Sequence, residues 1–133
     1  REPFAKERSG MSAAELAAVH RKNLEILMIA DPAKVDDLAV HLQTWNAQHA
    51  RFRSRPFAPT DELARTLEHV KVPLKTIWGT RDVIARPSLQ DRLAILRRHH
   101  PELAVRLIEG SGHWVMYEEA DAFNAALLDL LAT

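Results

Sequence analysis

The sequence predicts an α/β fold, in which a helical segment precedes two parallel strands with flanking helices. Across the second half of the chain, short apolar runs alternate with amphipathic helical patterns, which is typical of parallel strands joined by crossover helices. Three of the four glycines, Gly79, Gly110 and Gly112, follow the two apolar runs, where strands exit into tight turns. The run from 103 to 108 is nearly continuously apolar, which favours a strand covered on both faces.

The first half of the chain predicts two helices. Ser12 followed by Glu15 is a capping-box signature, and apolar residues continue at near-helical spacing through Leu27. Asp31 before Pro32 predicts the start of a second, strongly amphipathic helix. Its apolar stripe is predicted at Val35, Leu38, Leu42, Trp45 and His49. Two helices of this size bury little core by themselves, so we expect them to pack on another part of the protein.

A proline-containing stretch from Arg55 to Pro59 predicts a boundary between a helical unit, residues 1–58, and an α/β unit, residues 59–133. The second unit predicts a helix, a strand, a helix, a strand and a last helix, at about 60–70, 72–78, 88–98, 103–108 and 118–131. Two parallel strands do not close a core. We therefore expect further strands from an N-terminal half of the fold, on the same or a second chain.

Composition excludes several classes of function. Lys plus Arg equals Asp plus Glu, 18 each in 133 residues, so no overall field attracts nucleic acid or an anionic membrane. The absence of cysteine excludes disulfides, thiolate zinc sites and thiol nucleophiles. No apolar run approaches the ~18 residues of a membrane span. We expect a soluble, cytoplasmic protein that acts on a small molecule without a metal or cofactor, with homo-oligomerisation left open.

Polar residues in the loops after the two predicted strands are the first candidates for chemistry, because ligands of open α/β sheets bind beyond the carboxyl ends of strands. These loops carry Asp82 and His113. If the strands are neighbours, ~4.8 Å apart, a carboxylate–imidazole hydrogen bond is feasible and would leave Nε2 of His113 as a general base. The alternative is an ordinary turn at Asp82 and a helix-capping role for His113.

The segment from Val72 to Asp82 resembles the late strand of the α/β-hydrolases that ends in the catalytic acid, and Gly110 to His113 resembles their catalytic-histidine turn. Asp82 and His113 are 31 residues apart, which leaves room for one helix and one strand. The acid precedes the histidine, as it does in that family. The resemblance covers about residues 60–133. It implies a partial α/β-hydrolase fold with Asp82 and His113 as triad members, and a helical cap portion in residues 1–58.

The family's nucleophile lies in a GxSxG elbow that precedes the cap, and this chain contains no such segment. Ser111 belongs to the histidine turn and is not expected to be the nucleophile. The resemblance therefore implies roughly the C-terminal half of an enzyme, inactive without the half that carries the nucleophile and the oxyanion hole.

The dipeptide His113-Trp114 and the segment from Ala120 to Asn124 are similar to the carbon–carbon bond hydrolases that cleave ring-fission products of aromatic compounds. This similarity implies substrate contacts from Trp114 and from the arginines Arg51 and Arg53, since arginine binds carboxylates in bidentate fashion. A packing role for Trp114 and a solvated face for the arginines stay open. So do an ester substrate, a dehalogenase or epoxide hydrolase with an Asp nucleophile, and a noncatalytic binding or assembly module.

Overall fold

The computed structural model describes residues 4–52 and 60–132, so the predicted boundary from Arg55 to Pro59 lies outside the described residues. The first range holds α1 (Ala13–Leu27), a 3-10 turn (Pro32–Lys34) and α2 (Asp37–His49). The second range holds α3 (Glu62–Thr66), a 3-10 turn (Leu67–His69), β1 (Lys75–Gly79), α4 (Leu89–His99), β2 (Ala104–Ile108), α5 (Val115–Glu118) and α6 (Ala120–Ala132). The order confirms a mixed α/β architecture with two parallel strands.

Helix α1 begins at the predicted capping box. The Ser12 hydroxyl accepts a hydrogen bond from the Glu15 amide at 3.3 Å, and the Glu15 carboxylate accepts one from the Ser12 amide at 2.7 Å. These bonds satisfy amides that the first helical turn leaves unpaired. The bond from the Ser12 amide is the largest cause of a lowered pKa of Glu15, followed by a bond from the Ser12 hydroxyl to the same carboxylate at 2.8 Å.

The predicted start of the second helix is wrong. Asp31 caps only the 3-10 turn, where its carboxylate accepts from the Ala33 amide at 3.0 Å. The chain leaves helical geometry at Val35, with φ −82° and ψ 80°, and the Val35 side chain is buried in the core. Asp36 is the true N-cap of α2, and its carboxylate accepts from the Ala39 amide at 2.8 Å.

The predicted apolar stripe of α2 is also wrong. Leu38 is 56% exposed and Trp45 is 54% exposed, with the Trp45 ring stacked on His49 at a centroid distance of 3.8 Å. The buried residues of the helix are Ala39 and Val40. The small Ala39 side chain permits close approach of α2 to α1. Because α2 packs through the face that carries Ala39, Leu38 and Trp45 point outward.

The two strands pair in parallel as predicted, in a register that runs from Lys75 opposite Ala104 to Gly79 opposite Ile108. The expectation that the second strand is covered on both faces is not met. Arg106 of β2 forms an ion pair with Asp129 of α6, while Leu107 points to the opposite face and is 47% exposed. Helix α6 contacts both strands, so it covers the face on which Arg106 lies.

The hydrophobic core of the helical segment extends to the residues that follow β2. Its buried members are Leu24, Ile29, Val35, Ala39 and Val40. Trp114 and Tyr117 pack against this cluster. The helices and the loop after β2 therefore share one apolar interior. In residues 4–52 and 60–132, no helix combines the length and the apolar character needed to cross a membrane.

A hydrogen bond from the Tyr117 hydroxyl to the Asp36 carboxylate links the last part of the chain to the N-cap of α2. This bond is the largest cause of the lowered pKa of Asp36, followed by the bond from the Ala39 amide. Burial, followed by the bond to Asp36, raises the pKa of Tyr117 to about 12. The favoured pair is thus an ionised carboxylate and a neutral phenol.

We expect Tyr117→Phe to lower the free energy of unfolding at pH 6, and this loss to shrink as the pH falls. An Asp whose folded pKa is depressed stabilises the protein above its unfolded value of about 3.9 and loses that contribution as pH falls through the folded pKa. Urea unfolding between pH 6 and pH 2.5 measures the effect. In an Asp36→Asn background the Tyr117 change should show no pH dependence; a pH-independent loss in the wild-type background would contradict the assignment.

The loop after β1 and the loop after β2 approach each other more closely than side chains permit. A Cβ on Gly79 would lie 2.3 Å from both the Gly112 and the Ser111 carbonyl oxygens. A Cβ on Gly112 would lie 2.8 Å from the Ala30 nitrogen and from the Met28 oxygen. These two glycines allow three backbone segments to meet at the carboxyl end of the sheet.

We expect Gly79→Ala to cost about 2 kcal/mol or more of unfolding free energy, because its methyl group meets backbone that has little room to move. The matched control is Gly110→Ala. Gly110 has φ +78° and open space around its Cβ position, so that variant should lose only the ~1 kcal/mol of a left-handed alanine. Equal losses for the two variants in urea unfolding would show that the close approach at Gly79 is unimportant.

Candidate functional site

The parallel register places the carboxyl ends of β1 and β2 side by side. Backbone hydrogen bonds then continue beyond the strands, from the Thr80 amide to Ile108 O at 3.0 Å and from the Arg81 amide to Ser111 O at 2.9 Å. The Thr80 hydroxyl accepts from the Gly110 amide at 2.9 Å. These contacts hold the two loops in a fixed relation.

The Asp82 side chain is 3% exposed, and its two carboxylate oxygens have different partners. Oδ1 accepts from the Ile84 amide at 2.8 Å and from the Ala85 amide at 3.3 Å. These bonds fix the rotation of the carboxylate and leave Oδ2 to face the second loop. The turn expected as the alternative at Asp82 is thus present, and it directs the carboxylate.

The structure brings Asp82 and His113 together. Asp82 Oδ2 lies 2.9 Å from His113 Nδ1, and the histidine side chain is 38% exposed. An ionised Asp82 accepts the Nδ1 proton, so that Nε2 carries the lone pair of the neutral ring. Within the described residues, no hydrogen bond engages Nε2. This arrangement is able to take a proton from a hydroxyl group or from water.

A cavity of about 580 Å³ opens beside this pair. Its walls come from α2, β1 and the segment after β2, and they are mainly apolar. The lining residues are Leu42, Asn46, Thr76, Ile77, Trp78, Gly79, Asp82, His113, Trp114, Val115, Met116, Tyr117 and Phe123. The volume lies within the range of small-molecule sites.

Two polar atoms in the cavity wall lack partners. Within residues 4–52 and 60–132, the indole N–H of Trp78 and the hydroxyl of Thr76 are buried without a hydrogen bond. Buried polar groups are usually paired, so these two atoms are exceptions beside the cavity.

Of the three residues predicted to contact substrate, Trp114 alone is seen to line the cavity within the described residues. Trp114 lines the cavity and also packs on the core and on Tyr117, at a ring distance of 6.0 Å, so both of its predicted roles remain compatible with its position. Arg51 is exposed and does not line the cavity. Arg53 lies outside the described residues.

Ser111 is fully buried, and its hydroxyl donates to Ile108 O at 3.1 Å. This contact fits the expectation that Ser111 is part of the turn rather than a nucleophile. In the part of the chain that the structure describes, no group of three or more potential ligands forms a metal site.

The sequence pattern did not predict the role of Glu118. Glu118 is 5% exposed, and its carboxylate accepts hydrogen bonds from three backbone amides around the histidine turn. The only local signal was an acid six residues after Gly112. Two of the three amides are about 87 positions away in the chain, so spacing alone could not indicate them.

No protein-family model matches this chain, and no curated protein is similar enough to it to count as a match. The interpretation of the site therefore depends on its geometry and on the motifs of the sequence.

We expect Asp82→Asn to reverse the tautomer of His113. The amide oxygen of Asn is expected to keep the bonds from Ile84 and Ala85, which turns its NH2 group towards His113 Nδ1 and moves the ring proton to Nε2. Nitrogen-15 NMR of the imidazole measures the tautomer. The control is Glu68→Gln, which alters the exposed contact of 3.2 Å with His69 Nε2 and should leave His113 unchanged. An unaltered His113 spectrum in Asp82→Asn would contradict the pairing.

Proposed function

We propose that this chain supplies the acid and the histidine of a nucleophile–His–Asp triad in an α/β-fold hydrolase. The observation that supports the proposal is the 2.9 Å bond between buried Asp82 and His113 at the edge of an apolar cavity. A buried carboxylate on one ring nitrogen and an accessible second nitrogen are the requirements of a general base. The motifs that resemble the α/β-hydrolases add independent support.

In this proposal, Asp82 holds the Nδ1 proton and stabilises the imidazolium form of His113. Nε2 of His113 removes the proton from the nucleophilic hydroxyl as that oxygen attacks the substrate carbonyl carbon. The same proton then passes to the leaving group, and in the second half of the reaction His113 activates water to release the product.

The nucleophile is proposed to come from an N-terminal half of the fold, on the same or a second polypeptide. The Ser111 hydroxyl is buried and bonded to backbone, which argues against it as the nucleophile. Residues of β1 line the cavity together with Asp82 and His113, so a segment packed on this wall would lie near the proposed base. The usual nucleophile of that segment would be serine; an aspartate there would make the protein a dehalogenase or epoxide hydrolase.

The proposed substrate is a small ester or a dienoate whose carbon–carbon bond is cleaved. The apolar walls and Trp114 suit an unsaturated carbon skeleton, and Arg51 or Arg53 would bind its carboxylate if the cap closes over it. A cytoplasmic enzyme without metal, cofactor, nucleic-acid or membrane partner is part of the same proposal. A noncatalytic assembly module is the second candidate, favoured by the exposed apolar side chains of α2.

We expect His113→Ala to lower kcat by several orders of magnitude in the complete protein, because the nucleophile loses its base. Turnover is followed with a p-nitrophenyl ester and with a 2-hydroxy-6-oxo-dienoate. His69→Ala is the matched control: His69 is exposed and pairs with Glu68, so its loss should leave kcat unchanged. Undiminished turnover in His113→Ala would exclude the triad role and favour the assembly module.

The residue that attacks the substrate is identified separately. A fluorophosphonate should label a serine of the complete protein that lies outside these 133 residues, and the label should be lost in His113→Ala. If single turnover in H₂¹⁸O instead places ¹⁸O in an aspartate, the nucleophile is Asp and the esterase proposal is wrong. Labelling of Ser111 would overturn the proposed division of the triad.

A further inference from the structure

The carboxylate of Glu118 has no catalytic task in the proposed reaction, although it is among the most buried charged groups of the described residues. Its Oε2 accepts from the Gly112 amide at 2.7 Å and from the Ala30 amide at 3.1 Å. Its Oε1 accepts from the Asp31 amide at 2.7 Å. Three charge-assisted bonds to backbone amides offset the desolvation that burial imposes on a carboxylate.

These bonds act on the residue next to the proposed base. Gly112 immediately precedes His113, and the Glu118 bond fixes the Ser111–Gly112 peptide, one peptide before the histidine. On the other side of His113, the Trp114 amide donates to Met28 O at 2.7 Å. The backbone of His113 is thereby held at both neighbours.

The partners on the opposite side of Glu118 belong to the helical segment. Met28, Ala30 and Asp31 connect the end of α1 to the 3-10 turn before α2. Lys34 reinforces the link, since its ammonium donates to the Glu118 carbonyl oxygen at 2.9 Å and pairs with the Glu119 carboxylate. The position of this connection and the position of His113 are therefore set by the same carboxylate.

We propose that Glu118 is a positioning residue, which holds His113 in register with Asp82 and couples the histidine turn to the connection between α1 and α2. The contacts themselves do not depend on the chemistry, whereas any effect on turnover rests on the proposed hydrolase function. Among the described residues, Glu118 does not line the cavity and forms no hydrogen bond with the His113 ring, so its influence passes through the Gly112 amide.

The test uses NMR of the His113 ring, which needs no turnover and so separates this proposal from that of the hydrolase. In Glu118→Ala, the Nδ1 proton of His113 should exchange with water about tenfold faster than in the wild type, because the unpaired amides loosen the turn. Glu118→Gln keeps one oxygen for Gly112 and Ala30 but presents NH2 to Asp31. It should preserve the His113 signal and lose exchange protection at the Asp31 amide.

Glu119→Gln is the matched control, since it alters the neighbouring, partly exposed carboxylate that pairs with Lys34 and should leave both readouts unchanged. A folded Glu118→Ala or Glu118→Gln protein whose His113 and Asp31 signals equal the wild type overturns the proposal. If neither variant folds, wild-type hydrogen exchange decides. If the amides of Ala30, Asp31 and Gly112 are protected and exchange at a common rate of opening, the positioning role of Glu118 is supported. If these amides are unprotected, it is refuted.

A second consequence applies to the complete enzyme. Glu118→Ala should lower kcat more than it changes KM, because it disturbs the placement of a base and not a substrate contact. Loss of turnover in His113→Ala together with unchanged kcat in folded Glu118→Ala would support the hydrolase and overturn the positioning role. If the wild type hydrolyses neither substrate but the NMR results are as expected, the positioning role is supported and the hydrolase proposal is overturned.

Discussion

The close approach of Gly79 to the backbone of Ser111 and Gly112 is the constraint on which the rest of the site depends. Parallel pairing brings the two strands to a common edge, but strands alone leave their loops free to diverge. Here the loops stay in contact because two glycines remove the side chains that would separate them. Asp82 and His113, three and one residues further on, then meet at this edge.

A second layer of backbone contacts connects this edge to the helical segment. Glu118 accepts from amides on both sides of the junction, and Trp114 contributes both a backbone bond and an apolar surface to the helical core. Polar bonds with strict geometry set the relative position of the two parts, while apolar burial supplies most of the free energy that holds them together. The cavity lies at the boundary between these two parts of the chain, with α2 as one wall and β1 as another.

Large apolar side chains remain exposed on several elements. On α2 they are Leu38, Leu42 and Trp45, of which Leu42 lines the cavity. On β2, Leu107 lies on the face of the sheet opposite Arg106. A parallel sheet is normally covered on both faces. Leu107 leaves part of one face uncovered, and completion of this sheet by further strands stays a prediction.

The sequence alone determined the features that depend on neighbouring residues: the capping box at Ser12, both strands, and the loops that carry Asp82 and His113. Alternation of apolar residues and the position of glycines are local signals, so they can be interpreted without knowledge of the fold. The bond between Asp82 and His113 was foreseeable because strand ends in a parallel pair are adjacent. Tertiary structure decided where α2 begins, which of its faces is buried, and that Glu118 holds the histidine turn. Those outcomes depend on which small residue allows close packing and on amides about 87 positions away, and a local pattern does not carry that information.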